Sequence, residues 1–199
     1  MAQRFFNCVS IVLHPVFLTT AGIIMLTIWL LPGVPFKSSL ILALLGAAYS
    51  MLIPLSFIVI ARFMGFIHSY QLKRRNERII SLVITSVSIY FFHRVLIAWH
   101  VSPTIRHFVI GVILLMLIAA VITFFARISL HTIAWGGLTA LVSYVSLYKA
   151  ELSVTLAVVV LLSGLVGTAR LYLDQHKPAH IYTGYIVGFA SIWLTLIIL

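Results

Sequence analysis

Seven long apolar runs dominate this chain of 199 residues and restrict what it can fold into. They cover approximately residues 10–31, 39–64, 79–99, 107–126, 132–148, 152–169 and 181–198. A run of about 20 apolar residues can cross the hydrocarbon core as a helix, and in lipid the backbone must satisfy its hydrogen bonds internally. Since no alternating strand pattern is present, the sequence predicts an all-α integral membrane protein, a bundle of about six to seven transmembrane helices.

The composition supports a single transmembrane domain over residues 1–199. Hydrophobic residues make up 63% of the chain and charged residues 8%, so no polar stretch is long enough for a soluble domain. The formal net charge of +10 would suggest nucleic acid in a soluble protein. Here the cations lie in short loops between apolar runs, so we expect no nucleic acid and instead anionic phospholipid or a phosphorylated substrate.

Three short polar segments interrupt the apolar runs, at residues 71–78, 129–131 and 170–180. Ionisable groups near lipid persist only where they are paired, wet or functional. With alternating spans, the chain returns to its N-terminal side before each of these segments, so all three share one membrane side. That side carries nine Lys and Arg residues against three on the other. The positive-inside rule therefore predicts that the polar segments face the cytoplasm, and we expect a bacterial inner (plasma) membrane.

The last segment combines Arg170 with His176 and His180. A guanidinium matches the oxygens of phosphate in a fork geometry. A neutral imidazole is a good nucleophile toward phosphorus when a neighbour fixes its tautomer. The alternative is an interfacial arginine that meets lipid headgroups, with loop histidines in water.

The other two segments also allow a phosphate site. The Ser129 hydroxyl and the amides of a helix N-terminus can bind an anion, and His131 can protonate a leaving oxygen. Alternatively, Ser129 is the helix N-cap and His131 lies in the first turn, which is compatible with an anion site. Lys73 and Arg78 belong to a basic run that could equally be a topology signal in contact with anionic lipid.

Taken together, the segments resemble the type 2 phosphatidic acid phosphatase (PAP2) superfamily of membrane lipid phosphatases. That family has the motifs Lys-x6-Arg-Pro, Pro-Ser-Gly-His and Ser-Arg-x5-His-x3-Asp, in this order and on one membrane side. The corresponding stretches here are Arg78-Ile79, with Gln71 at the expected lysine and Lys73 two residues away; Ile128-Ser129-Leu130-His131; and Ala169-Arg170-x5-His176-x3-His180. The resemblance covers a PAP2-like core of about residues 71–190.

The resemblance implies a two-step phosphoryl transfer without a metal or another cofactor. His176 would attack phosphorus to give a phosphohistidine, and His131 would protonate the leaving group. The substrate would be a phosphomonoester or diphosphate on a membrane lipid. The phosphoryl oxygens would be held by Arg170, Arg78, Lys73 and Ser129.

Two departures from the family pattern leave an alternative open. His180 stands where the family has an aspartate, so the possible orienting group for His176 carries no negative charge, and Asp174 is the nearest carboxylate in sequence. Leu130 replaces a glycine and leaves the backbone less open to phosphate. The alternative is a catalytically impaired protein with the PAP2 fold that binds phospholipid or serves as an assembly subunit.

Two other classes are less consistent with the sequence. A small transporter is disfavoured because the charges cluster at one interface and not at the midplane. His176 and His180 have the spacing of a helical metal pair, but Lys177-Pro178 between them argues against a continuous helix. We therefore expect no metal site.

Overall fold

The computed structural model describes residues 2–30, 33–68 and 74–199, and within these ranges the regular structure is helical. The all-α prediction is confirmed. The α-helices of these ranges are α1 (Ala2–Val12), α2 (Leu18–Leu30), α3 (Phe36–Ala47), α4 (Ile53–Phe63), α5 (Arg75–Ala98), α6 (Pro103–Phe125), α7 (Leu130–Ser146), α8 (Ser153–Tyr172) and α9 (Pro178–Ile198).

Six of the described segments are long and apolar enough to cross a membrane. They are Ala2–Trp29, Phe36–Phe63, Arg75–Ala98, Pro103–Phe125, Ala150–Tyr172 and Pro178–Ile198. Helix α7 has 17 residues, and most of its side chains are buried. The bundle of six to seven helices is thus confirmed. The first helix begins at Ala2, eight residues before the predicted run. The prediction begins too late because the first turns of the helix mix Arg4 and Asn7 with apolar residues, which lowers their mean hydropathy.

The chain divides into two compact units. The terminal unit comprises Met1–Leu18 and Arg127–Leu199, and the central unit comprises Thr19–Ala126. The single-domain organisation stays a prediction, since this division reports where contacts are dense and not which segments fold independently.

Helices α7 and α9 form the tightly packed centre of the terminal unit. A Cβ atom at Gly188 of α9 would lie 1.9 Å from the carbonyl oxygen of Ile133, and one at Gly136 of α7 would lie 2.2 Å from that of Tyr185. The two backbones therefore meet directly, as small residues allow in membrane helices. Helix α8 packs against α7, and α1 packs against α8. The contact between α7 and α9 brings the start of α7 beside the start of α9.

Two prolines, Pro15 and Pro54, lie where regular α-helix is interrupted. After α1 the backbone of His14 is extended (φ −69°, ψ 137°), and Pro15–Phe17 forms a 3₁₀ turn. In the central unit, a π-helical segment over Ala48–Leu52 precedes Pro54, whose missing N–H cannot continue the regular pattern.

Three described helices end in the same left-handed cap. The cap residue is Gly65 after α4 (φ 81°), His100 after α5 (φ 53°) and Asp174 after α8 (φ 51°). At α8, the N–H of Gln175 donates to the carbonyl of Arg170 at 3.2 Å, and the N–H of Asp174 donates to that of Leu171 at 2.9 Å, which is the Schellman pattern. The cap reverses the chain at once, so the residues that follow stay near the end of α8.

Candidate functional site

A buried polar cluster joins α1, α7 and α8 of the terminal unit. Ser10 of α1 is its centre and is 8% exposed. Arg170 donates from Nη1 to the Ser10 hydroxyl at 2.8 Å. The Nε2 atom of His131 lies 3.2 Å from the Ser10 carbonyl oxygen and 3.5 Å from its Oγ. Two residues predicted to act on phosphate therefore meet on one serine.

His14 completes this cluster from the end of α1. Its ring lies edge-on to that of His131, with centroids 5.0 Å apart. Its Nδ1 accepts the N–H of Val16 at 3.3 Å, so the neutral ring carries its proton on Nε2. We call Ser10, His14, His131 and Arg170 the Ser10 cluster.

Hydrogen bonding and burial together define the protonation state of His131. A carbonyl oxygen only accepts, so Nε2 carries the proton, and Nδ1 of the neutral ring is an acceptor. His131 lies in the first turn of α7, outside the six spans. Burial and then the charge of Arg170 lower its pKa to about 3, with smaller contributions from His14 and His176. His131 is therefore neutral near pH 7, and the ionisable groups that act on it are all basic.

Ser129 is the N-cap of α7, which is one of the two roles that the sequence predicts for it. Its Oγ accepts the N–H of Thr132 at 3.5 Å. Its own N–H donates to the carbonyl of His180 at 3.3 Å, which ties the start of α7 to the start of α9. Ser129 is fully buried. Its predicted contact with phosphate stays a prediction.

His176 lies between α8 and α9, in the loop that the Asp174 cap begins. The helix does not continue through it, as Lys177-Pro178 predicts. The rings of His176 and His180 are nearly perpendicular, with centroids 5.9 Å apart. His180 Nδ1 accepts the N–H of Lys177 at 3.4 Å. His180 therefore caps α9, and Asp174, the nearest carboxylate in sequence, is exposed.

The remaining predicted ligands belong to the central unit or fall outside the described ranges. Arg78 lies half-buried in the first turn of α5, in the central unit. Lys73 and Gln71 lie outside the described residues. The structure thus groups Arg170, His131, Ser129, His176 and His180 in one unit, and leaves Arg78 and Lys73 as predictions.

The central unit has its own polar cluster, around a buried carboxylate that the sequence analysis did not single out. Glu77 is 2% exposed. Its Oε1 accepts the backbone N–H of His68 at 2.8 Å and lies 3.4 Å from His68 Nδ1. Arg74 Nη1 lies 3.1 Å from the same Nδ1, and Arg62 donates to the His68 carbonyl. We call Glu77, His68, Arg74 and Arg62 the Glu77 cluster.

Ser10 and His14 are the site residues that the sequence reasoning missed. Both stand at the first apolar run, four residues apart, a spacing that predicts one helix face, although α1 ends at Val12 and His14 lies just beyond it. That spacing was the available signal. It could not show that this face meets Arg170 and His131, which are more than one hundred residues away in sequence.

The described part of the chain contains no group of three His, Cys, Asp or Glu side chains close enough to hold a metal ion. The residues that meet in the terminal unit are hydrogen-bond donors and imidazoles, which suit an oxyanion. No protein-family model, curated protein or solved structure matches this chain. The resemblance to lipid phosphatases therefore rests on the motif residues themselves.

Proposed function

We propose that this protein is a divergent membrane lipid phosphatase of the PAP2 superfamily, which hydrolyses a phosphomonoester or diphosphate on a lipid. The observation that carries the proposal is the meeting of Arg170 and His131 on Ser10, with His176 near enough to influence the pKa of His131. A dense set of basic donors at the end of a membrane helix bundle favours a doubly charged phosphoryl group.

In the proposed reaction, a ring nitrogen of His176 attacks phosphorus and the bond from phosphorus to the lipid oxygen breaks. The leaving oxygen takes a proton from His131. Water then attacks phosphorus and gives a proton back to His131, and the bond from phosphorus to nitrogen breaks to release phosphate and restore His176. Arg170 and Ser129 stabilise the negative charge on the phosphoryl oxygens, and the family resemblance predicts the same role for Arg78 and Lys73.

The protonation state of His131 adds a condition to this scheme. In the ligand-free protein its pKa is about 3, lowered by burial and by neighbouring positive charge. A dianionic phosphoryl group beside it favours the charged imidazolium and raises the pKa. His131 therefore gains its acidic proton with the substrate and not before it.

The proposal includes a location and partners. The protein spans a membrane, which we propose is a bacterial inner (plasma) membrane, with the motif residues toward the cytoplasm, as the excess of basic residues on that side supports. Its partners are the lipid phosphate substrate and the surrounding anionic phospholipids. The proposed reaction requires no cofactor.

A second candidate is a catalytically impaired protein that binds phospholipid or serves as an assembly subunit. The observation in its favour is the cap at α9, where His180 uses its Nδ1 for the N–H of Lys177. Asp174 is exposed on its loop. Without a carboxylate that stabilises the imidazolium of the nucleophile, such histidine chemistry loses orders of magnitude in rate.

Phosphate release from defined lipids separates the two candidates. Purified protein in mixed micelles is given phosphatidate, phosphatidylglycerol phosphate or a polyprenyl diphosphate. We expect release from at least one, reduced about a thousandfold or more by His176→Ala and unchanged by the control His107→Ala on α6. No release from any of these lipids, together with retained phospholipid binding, would favour the impaired protein.

A further inference from the structure

Ser10 differs from many hydroxyl residues in the described helices. Thr85, Ser146 and Thr195 each donate to a carbonyl of their own helix, four residues earlier. That local bond satisfies a buried hydroxyl without help from another helix. The Ser10 hydroxyl instead accepts from Arg170 of α8, across a distance of 160 residues in sequence.

The bond to Ser10 restricts the long side chain of Arg170 at its guanidinium end. The guanidinium of Arg170 is planar, with five N–H donors in a fixed fork. Holding Nη1 at 2.8 Å from Ser10 Oγ sets the direction of the remaining donors. Less side-chain entropy is then lost when a ligand binds, which is the usual benefit of a preorganised site.

The backbone of Ser10 contacts His131, the other residue that meets Ser10. Its carbonyl oxygen lies 3.2 Å from His131 Nε2 and fixes the tautomer with the proton on Nε2. The hydroxyl and the carbonyl of one residue thus face a guanidinium and an imidazole. Replacing the side chain removes only the first of these contacts, which makes the two separable by mutation.

We infer that Ser10 is a positioning residue, whose hydroxyl orients Arg170 and whose carbonyl orients His131 for a phosphoryl ligand. The inference deepens the proposed function and rests on it for the identity of the ligand. Ser10 belongs to α1 and to none of the three motif segments. The proposal thus makes α1, in addition to α7 and α8, part of the site.

The test compares Ser10→Thr with Ser10→Val in the full-length, detergent-solubilised protein. Threonine and valine have nearly the same shape, so both variants change the packing around α1 by the same volume. Only Ser10→Thr keeps the hydroxyl. The probe is inorganic phosphate, with its Kd measured by titration calorimetry. We expect a Kd within about twofold of wild type for Ser10→Thr and about tenfold weaker for Ser10→Val, as for loss of a hydrogen bond to a charged group.

A second readout follows the side chains directly. In ¹⁵N spectra of the ligand-free protein, we expect separate Nη resonances for Arg170 in wild type and Ser10→Thr, and averaged ones in Ser10→Val. The His131 tautomer should be the same in all three, because the carbonyl remains. The Arg170 resonances and the His131 tautomer both report how the side chains are oriented, which a hydroxyl that only fills space would not affect.

The outcomes distinguish the failure of this inference from that of the proposed function. Equal phosphate affinity in Ser10→Val and wild type, or Arg170 spectra that do not change, would overturn the positioning role alone. An equal loss of affinity in both variants would overturn it too, because shape and not the hydroxyl would be responsible. Wild-type protein that binds no phosphate would overturn both the inference and the proposed function.

Discussion

The Ser10 cluster and the Glu77 cluster each contain arginine and histidine, yet they balance their charges differently. In the central unit, the carboxylate of Glu77 accepts from the backbone of His68 and pairs with its ring, with Arg74 alongside. In the terminal unit, Arg170 and His131 meet neutral oxygens of Ser10. The Glu77 carboxylate is a charged partner within its own cluster, whereas the Ser10 oxygens carry no charge, and we propose that a phosphoryl ligand adds negative charge beside Arg170.

The largest expected effects come from removing one charge from each cluster. We expect Arg170→Gln to weaken phosphate binding about a hundredfold, since it removes charge-assisted hydrogen bonds to the ligand, with little change in Tm. We expect Glu77→Gln to leave phosphate affinity unchanged and to lower Tm by several degrees, because the backbone N–H of His68 loses its charged acceptor. Titration calorimetry and thermal unfolding in detergent measure the two quantities.

The comparison would fail if these two results were exchanged. Phosphate affinity that survives Arg170→Gln would assign the terminal cluster to structure. An unchanged Tm in Glu77→Gln would show that the buried carboxylate does not stabilise the segment around His68. Arg74→Gln is the matched control for arginine loss, and it should leave phosphate affinity unchanged.

An intermediate effect is expected from pH. An imidazole in the unfolded chain titrates near 6.5, whereas the pKa of His131 in the folded protein is about 3. The unfolded chain therefore binds more protons between these values, and the stability of the folded protein falls as the pH is lowered through this window. From pH 7 to about pH 4.5, His131 accounts for up to about 3 kcal/mol of that loss.

Thermal unfolding at several pH values measures this contribution. His131→Gln should flatten the decline of Tm toward acid relative to wild type. Saturating phosphate should flatten it as well, since the anion raises the pKa of His131. A pH profile identical in wild type and His131→Gln would contradict the buried neutral state of this residue.

The smallest expected effects concern the helix caps, one in each unit. Asp174 and His100 occupy the same left-handed position, with φ of 51° and 53°. Glycine relieves the steric cost of that conformation, so Asp174→Gly and His100→Gly should each stabilise the protein by ~0.5–1 kcal/mol in denaturation. Phosphate release should stay within about twofold of wild type in both. A tenfold loss in Asp174→Gly alone would show that its carboxylate serves the site.

Much of the fold could be predicted from the sequence, because lipid leaves the backbone few options. Apolar runs of sufficient length specify helices, and prolines mark where those helices are interrupted. The break between His176 and His180 followed from Lys177-Pro178, and the N-cap of α7 followed from Ser129. Each of these features depends on neighbours in sequence.

The features that sequence reasoning missed depend on tertiary contacts. Nothing near Ser10 in sequence indicates that it meets Arg170, because that contact requires α1 to pack against α8. Glu77 was interpreted as part of a basic run, although burial makes it the centre of a cluster. Gly65 is a readable cap, while Asp174 adopts the same conformation without the residue that usually signals it.

The backbone contact between α7 and α9 has a consequence for genetics. At Gly188 a single added methyl group would overlap the carbonyl of Ile133, so random mutagenesis should leave this codon nearly invariant among survivors. A selection for enzymatic activity alone would rank Gly188 with His176, although the glycine allows two helices to pack and His176 is the proposed nucleophile. Counting protein abundance in the membrane for each variant separates the two, because only the glycine variants should disappear from it.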